Sequence, residues 1–324
     1  MKKTSLIIVS ILFLNFISCK KNNVPEGIDF KQEMRNFVQG ISSYAKTVNP
    51  NFIIIPQNGN QLATENGDEN GAPATSYLNA IDGQGQEDLY YGYDNDDRAT
   101  SQNDIGYLKP FLDIEENAGV QVMVTDYCST HSKMDDSYQK NNNSGYISFA
   151  ASERDLNVIP NYPTTPYNVN SDDINTLSET KNFLYLINTE NYSTKQNFLD
   201  AVSQTNYDLV LIDLFFNDND AFTNAEITSL KTKQNGGKRL IICYMSIGEA
   251  EDYRYYWQSD WNKNKPEWLD KENPNWKGNY KVWYWEKEWQ DIIFGNDNSY
   301  LKKILDAGFD GVYLDIIDAF EYYE

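Results

Sequence analysis

Eight short apolar runs recur along this chain, and helical stretches separate several of them. Continuous apolar runs of this kind are typical of strands that are buried on both faces of a parallel sheet. A strand followed by a helix, repeated many times, predicts an α/β fold whose strands run parallel. The eight runs cover residues 52–55, 77–81, 120–125, 146–150, 183–187, 209–212, 239–244 and 311–314.

The chain length and the order of these runs favour one closed barrel. A chain of 324 residues can hold a (β/α)8 TIM barrel, and no GxGxxG fingerprint indicates the alternative, an open doubly wound sheet. Apolar residues from Phe30 to Ala45 predict a leading helix, whereas the chain stops soon after the eighth run. We expect that helix to cover the seam between the last and first strands, which would bring Glu324 close to Asp29.

The first residues are typical of an export signal rather than of a folded domain. Lys2 and Lys3 precede an apolar segment that is too short to span a bilayer permanently, and Ser18-Cys19 resembles the lipobox of bacterial lipoproteins. We therefore predict a signal peptide at 1–18, a tether at 19–27 lipidated on Cys19, and the barrel at 28–324. The chain would then be lipid-anchored in a bacterial cell envelope. An ordinary signal peptide with a chance cysteine is the alternative.

Charge and residue usage narrow the possible chemistry. A net charge of −21 argues against a nucleic-acid partner, because phosphates would be repelled. His131 is the single histidine, which excludes metal sites that need several histidines. A Ser/His/Asp triad would have to use His131 as its base. We interpret it as a loop histidine. Cys128 and Cys243 lack CxxC spacing, so neither a disulfide framework nor a zinc cluster is expected.

Carboxylates follow most of the apolar runs, at the end where barrel enzymes carry their active sites. Converging carboxylates repel one another, which favours a chemical role over chance. Asp82 and Asp310 precede glycines and are interpreted as turn formers. Amides and phenols that suit sugar hydroxyls also follow strands. The candidate acids are Glu87, Asp126, Asp213, Glu249, Asp315 and Asp318, and the polar partners are Gln57, Asn58, Tyr185 and Tyr244.

All seven tryptophans lie between Trp257 and Trp289, in a large insertion between the seventh and eighth runs. Aromatic faces stack on the C–H surfaces of sugars, so a Trp- and Tyr-rich segment beside carboxylates suggests a saccharide cleft. The alternative is that these rings pack the insertion's own small core, which we expect for about half of them.

Several motifs resemble glycoside hydrolase family 114, whose characterised members are endo-α-1,4-polygalactosaminidases. Some relatives carry a cysteinyl-tRNA synthetase label, which no nucleotide-binding signature or basic surface supports here. In most of the family the segment like 308–318 precedes those like 55–59 and 81–90, so the order here implies a circular permutation. The motifs are 55–59, 81–90, 124–127, 208–213, 244–254, 276–280 and 308–318.

The resemblance implies that Asp315 is the nucleophile and Glu87 the acid/base of a two-carboxylate glycosidase. No metal or organic cofactor is required. Carboxyls about 5 Å apart would retain configuration, whereas inversion needs about 6.5 to 9.5 Å. The alternatives are a non-catalytic glycan-binding barrel and a structural envelope protein with a decayed site. The expected substrate-binding residues are Gln57, Asn58, Asp126, Tyr185, Asp213, Tyr244, Glu249, Arg254 and Asp318.

Overall fold

The computed structural model describes residues 24–217, 219–261 and 263–324. The predicted signal peptide at 1–18, Cys19 and most of the tether therefore lie outside the described residues. Within the described ranges, no helix combines the length and the apolar character needed to cross a bilayer.

Eight parallel strands form the centre of the molecule. The first strand pairs in parallel with the eighth, so the last strand of the chain lies beside the first. Apart from the second, each strand overlaps one of the predicted apolar runs, which confirms those predictions. The strands are β1 (Ile53–Pro56), β2 (Gly83–Glu87), β3 (Gln121–Tyr127), β4 (Ile147–Ala151), β5 (Phe183–Tyr185), β6 (Leu209–Ile212), β7 (Leu240–Ser246) and β8 (Gly311–Asp315).

These strands are arranged in two parallel sheets. One has the order β1-β8-β7-β6-β5 and the other the order β2-β3-β4. The sheets meet where the Asn58 N–H donates to the Gly85 carbonyl at 2.8 Å. On the other side, the rings of Phe149 in β4 and Phe183 in β5 lie 5.8 Å apart. Parallel sheets with intervening helices are consistent with a TIM-barrel-like fold.

The second predicted strand, 77–81, is wrong. Tyr77 lies in a short helix, and β2 starts at Gly83 with the polar sequence Gly-Gln-Gly-Gln-Glu. The strand lacks the apolar signal because Tyr313 of β8 fills the space beside Gly85, where an added Cβ would lie 2.0 Å from the tyrosine oxygen. The two glutamine side chains donate to the backbone, Gln84 to the Asn58 carbonyl at 2.7 Å and Gln86 to the Glu87 carbonyl at 2.6 Å.

This shift of β2 also moves Asp82 to the start of the strand. Its carboxylate accepts from the Ile54 N–H at 2.9 Å and pairs with Lys46 at 3.0 Å. Asp310 occupies the equivalent place before β8 and accepts from the Ile241 N–H at 2.9 Å. Both aspartates therefore tie strand beginnings together, at the end of the sheets opposite to Glu87.

Helices lie between most of the strands. Asp29 caps the first helix by accepting from the Gln32 N–H at 2.9 Å. His131 begins a helix rather than sitting in the predicted loop, and its ring stacks on Tyr162 at 3.8 Å. The helices are α1 (Phe30–Val48), α2 (Thr75–Leu78), α3 (Gln102–Asn117), α4 (His131–Asn143), α5 (Lys195–Ser203), α6 (Asn224–Leu230), α7 (Lys287–Ile293) and α8 (Tyr300–Ala307), with 3-10 turns at Asn60–Ala63, Leu177–Glu179 and Ile317–Tyr322.

The helix α1 packs against the end of the chain, as the sequence predicts. Lys31 forms an ion pair with Glu324 at 2.5 Å, and the Phe30 and Tyr323 rings lie 5.7 Å apart. The Tyr284 hydroxyl donates to the Phe30 carbonyl at 2.8 Å. These contacts confirm that Glu324 lies near the start of α1.

The segment between β7 and β8 is an insertion with its own sheet. Its antiparallel strands are Glu249–Glu251, Asn279–Val282 and Leu269–Glu272, in that spatial order. The buried tryptophans of this segment form its core, which confirms the packing interpretation for these rings. They are Trp261, Trp268, Trp283 and Trp289. A second small hairpin pairs Phe215–Phe216 with Asp220–Ala221.

Candidate active site

A cavity of about 780 Å³ opens at the carboxyl ends of the parallel strands. The strand ends supply a phenol from each of β3, β5 and β7 and a carboxylate from each of β2 and β8. Because parallel strands deliver their last residues to one edge, these side chains from distant parts of the sequence share one space. The strand-end residues are Glu87, Tyr127, Tyr185, Tyr244 and Asp315.

Glu87 is the last residue of β2, and protein donors hold both of its carboxylate oxygens. Gln57 donates to Oε2 at 2.7 Å and Asn58 to the same oxygen at 3.0 Å, while the Tyr127 hydroxyl donates to Oε1. Asn58 also accepts from the Glu87 N–H at 3.1 Å. Together these contacts restrict the orientation of the carboxylate.

Two structural features hold the side chains that donate to Glu87 in position. Asn58 has a φ of 60°, in the left-handed region that asparagine tolerates better than most residues. Gln57 accepts from the Tyr185 hydroxyl at 3.0 Å, which leaves its amide nitrogen to point at Glu87. Gln57 does not line the cavity. It is thus a positioning residue, rather than the substrate contact that the sequence predicts.

Asp315 ends β8, and its Oδ2 accepts from the Tyr244 hydroxyl at 2.6 Å. Burial, followed by the negative charge of Glu87, raises the pKa of Asp315 to about 7. The next residue, Ile316, has a φ of 58°, which is strained for a β-branched side chain. Gly248 allows that turn, because an added Cβ would lie 2.0 Å from the Ile316 carbonyl oxygen.

A second pair of carboxylates lies beside Asp315. Burial, followed by the charge of Glu321, raises the pKa of Asp318 to about 7. Glu249 is fully buried and accepts from Asn273 at 2.8 Å and from the Tyr322 hydroxyl at 3.1 Å. Both acids line the cavity, so its floor carries several acidic side chains close together.

Arg254 forms a buried clamp at one side of the cavity. Its guanidinium donates to both oxygens of Asp213, at 2.8 and 2.6 Å, and its Nε donates to Glu251 at 2.6 Å. The Tyr253 hydroxyl also donates to Glu251 at 2.6 Å. Asp213 and Arg254 line the cavity, where they pair with each other and hold the insertion against β6, and their predicted contact with substrate stays a prediction.

The structure places Asp126 outside the cavity, contrary to the sequence prediction. It is fully buried and accepts from the Tyr90 and Tyr91 N–H groups, at 2.8 and 3.1 Å, and from the Ser137 hydroxyl at 2.6 Å. Successive residues of a strand point to opposite faces. Tyr127 therefore faces the cavity, while Asp126 faces the helices and anchors the loop after β2.

Sequence reasoning missed several residues of the cavity. Strand alternation could have selected Tyr127, because it follows Asp126 at the end of β3. Arg154 packs its guanidinium 3.8 Å from the Tyr127 ring centre and pairs with Asp88 at 2.9 Å. No local signal identifies the others, since they come from the insertion and the last turn. They are Asn273, Asn275 and Tyr322, whereas Trp276 and Asn279 also line the cavity but lie in the motif 276–280 that the sequence singles out.

In the part of the chain that the structure describes, no group of three or more His, Cys, Asp or Glu side chains is arranged to hold a metal ion. Cys128 and Cys243 are buried free thiols. The groups positioned for chemistry in the cavity are therefore carboxylates, phenols and amides.

Three relatives match parts of the chain, and each is an uncharacterized protein. One from Methanocaldococcus jannaschii is 46% identical over 41% of this chain, one from Thermotoga maritima is 54% identical over 25%, and one from Deinococcus radiodurans is 39% identical over 40%. The matches span 36%, 24% and 39% of those proteins' own lengths. Residues 169–323, which include β5 to β8, the insertion and Asp315, match the family model of GH114. Over residues 169–323 the chain is therefore similar to glycoside-hydrolase family GH114.

Proposed function

We propose that this protein is a glycoside hydrolase that cleaves an α-linked amino-sugar glycan, similar to polygalactosamine, by a two-carboxylate mechanism. One observation carries the proposal: Glu87 and Asp315 line one cavity from strands on either side of β1, and the charge of one raises the pKa of the other. Glycoside hydrolysis needs such a pair. Glu87 lies before the matched segment 169–323, so its role rests on this geometry and on the resemblance of its motif.

In the proposed reaction, Asp315 attacks the anomeric carbon as the glycosidic bond breaks. Glu87 gives its proton to the departing oxygen, which produces a glycosyl ester on Asp315 and a free sugar hydroxyl. Glu87 then removes a proton from water, whose oxygen attacks the anomeric carbon and releases Asp315. Tyr244 holds the Asp315 carboxylate at 2.6 Å, while Tyr127 and the two amides hold Glu87.

The charges in the cavity support an amine-bearing substrate. Arg254 is paired with Asp213 and Glu251, but the ion pairs in the described residues do not include Glu87, Asp315, Glu249 or Asp318. Acidic groups in a partly enclosed cleft focus a negative potential, which attracts a polycation. A glycan with free amines fits this cleft better than a neutral or acidic glycan.

We further propose that the eight strands close into a barrel whose chain order is circularly permuted relative to the family. Support comes from β8, which pairs with both β7 and β1, and from the hydrogen bonds between β1 and β2. The contact of Lys31 with Glu324 places the two ends of the folded part together.

Export and lipidation on Cys19 are also part of the proposal. They rest on the sequence of residues 1–19 alone. If Cys19 carries the lipid, Cys19→Ala moves the protein from the membrane fraction to the soluble fraction of a bacterial host. Retention of the variant in membranes would reject the anchor.

The central experiment measures reducing ends released from de-N-acetylated α-1,4-galactosamine polymer. We expect Glu87→Gln and Asp315→Asn each to lose at least about a hundredfold in kcat, because each removes a group that the transition state requires. Glu267→Gln, which alters an exposed carboxylate outside the cavity, is the matched control and retains activity. A folded wild-type protein that binds the polymer without cutting it would instead indicate a glycan-binding protein.

A further inference from the structure

Trp276 differs from the other tryptophans of the insertion because it is 59% exposed. Its neighbours in the segment join in ring contacts, such as Trp257 with Trp261 and Trp261 with Trp268, each at 5.1 Å. Within the described residues, Trp276 takes part in none of these ring contacts, and it lines the rim of the active-site cavity. An exposed indole beside a cleft gains free energy when a ligand covers it.

The loop that carries Trp276 is well anchored. The Gly278 N–H donates to the Glu272 carboxylate at 2.9 Å, and the Asp252 N–H donates to the Gly278 carbonyl at 2.8 Å. Gly278 has a φ of 90°, which a larger residue would adopt only with strain. Asn273, at the start of the loop, is held by Glu249 at 2.8 Å. The indole is therefore presented by a preorganised loop, which reduces the entropy lost on binding.

The chemistry around the indole is different from that of the cavity floor. Asn275 and Lys277 flank Trp276, and both line the cavity with exposed side chains. The floor carries Asp315, Asp318 and Glu249, whereas the rim carries a cation. A free ammonium group is attracted to the floor and repelled by Lys277.

We propose that Trp276 and Lys277 form a rim subsite for an uncharged pyranose, such as an N-acetylated residue, while amine-bearing residues occupy the floor. The indole face packs on the C–H face of the ring, and Asn275 offers an amide to its hydroxyl or acetamido groups. This inference rests on the proposed function and deepens it: the protein prefers a partly N-acetylated chain over a fully de-N-acetylated one.

The test measures binding, by calorimetry, to the full-length Asp315→Asn protein, which does not cleave its ligand. The probes are α-1,4-galactosamine oligomers of one length, either fully de-N-acetylated or partly N-acetylated. We expect Trp276→Ala to weaken binding of the partly N-acetylated probe by about tenfold, and Trp276→Phe to weaken it less. Tyr107→Ala removes an aromatic side chain that is 45% exposed outside the cavity, and should leave the dissociation constant unchanged.

The contribution of the Lys277 charge is tested separately. Lys277→Glu should tighten binding of the fully de-N-acetylated probe several-fold, because it replaces a repelling charge by an attracting one. Lys287→Glu changes a lysine outside the cavity by the same amount and serves as the control. In the cleaving protein, the Trp276→Ala defect should appear in KM rather than in kcat.

The outcomes separate the two proposals. If the parent protein binds the probes but Trp276→Ala and Lys277→Glu bind them equally well, the rim subsite is rejected and the proposed function stands. If the parent binds neither probe, the amino-sugar substrate is rejected, and the rim subsite with it.

Discussion

At the scale of single residues, the two carboxylates differ in what surrounds them. Glu87 accepts from three side-chain donors, whereas Asp315 accepts from the Tyr244 side chain and is buried near other acids. Asp315 therefore keeps its proton until about pH 7 in the unliganded cavity. Three donors occupy the carboxylate oxygens of Glu87, so at least one must turn away before Glu87 can deliver a proton.

This difference predicts a pH dependence. A nucleophilic Asp315 must be ionised, and its pKa is raised to about 7, so kcat/KM should fall as the pH drops below that value. At pH values well below the pKa of Asp315, kcat/KM should decrease by about tenfold for each pH unit. The assay measures kcat/KM from about pH 5 to about pH 9. Glu267→Gln should show the same profile as the wild type, since it lies outside the cavity.

The opposite pH profile would exchange the proposed roles of Asp315 and Glu87. If kcat/KM instead falls as the pH rises through this value, the protonated form of Asp315 is the active one. Asp315 would then be the proton donor and Glu87 the nucleophile, which its three donors would also suit.

At the scale of elements, β2 shows how a strand can form without an apolar sequence. Its glycines admit side chains from neighbouring strands, and its glutamines bond to nearby backbone. Gly85→Ala should destabilise the protein by about 3 kcal/mol, because the new methyl group collides with the Tyr313 ring and hydroxyl. It should also reduce kcat, since Glu87 lies two positions further along the strand. Urea unfolding and reducing-end assays measure the two effects.

Gly106→Ala is the matched control for that substitution. Gly106 lies in α3 with no atom within 4 Å of the added Cβ, so alanine should stabilise the helix by about 0.5 to 1 kcal/mol. If Gly85→Ala unfolds at the same urea concentration as the wild type, the close packing of β2 on β8 is not what positions Glu87.

At the scale of the whole molecule, the contact between α1 and the chain end permits a reordered chain. A short Gly/Ser linker from Glu324 to Asp29, with new ends between the exposed Thr164 and Thr165, should fold and keep its activity. The same opening without the linker leaves two fragments and serves as the control. A folded but inactive reordered chain would show that the native ends contribute to the site. A chain that fails to fold would contradict the permuted-barrel proposal.

The local pattern of apolar and polar residues determined many of the strands and helices of this protein. Residues such as 209–212 and 311–314 are apolar enough to be recognised as buried strands from sequence alone. The position of Asp315 after its strand was sufficient to place it at the edge that holds the cavity. The helix α1 and its contact with Glu324 also followed from the order of the elements, because a strand that lacks its own following helix must be covered by another.

Only the tertiary structure decided what depends on neighbours distant in sequence. β2 is a strand because Tyr313 fills the space that its glycines leave open, and no pattern within 83–87 records that partner. Asp126 was predicted to contact substrate, but in the structure it anchors the loop after β2. A shift of one position along a strand moves a side chain to the opposite face of the sheet, and the sequence did not fix that register. Arg254 contacts Asp213, and Glu87 contacts Tyr127, because the fold brings the ends of separate strands to one edge. Periodicity along a chain indicates which residues are buried, whereas the contacts between strands determine what each buried residue meets.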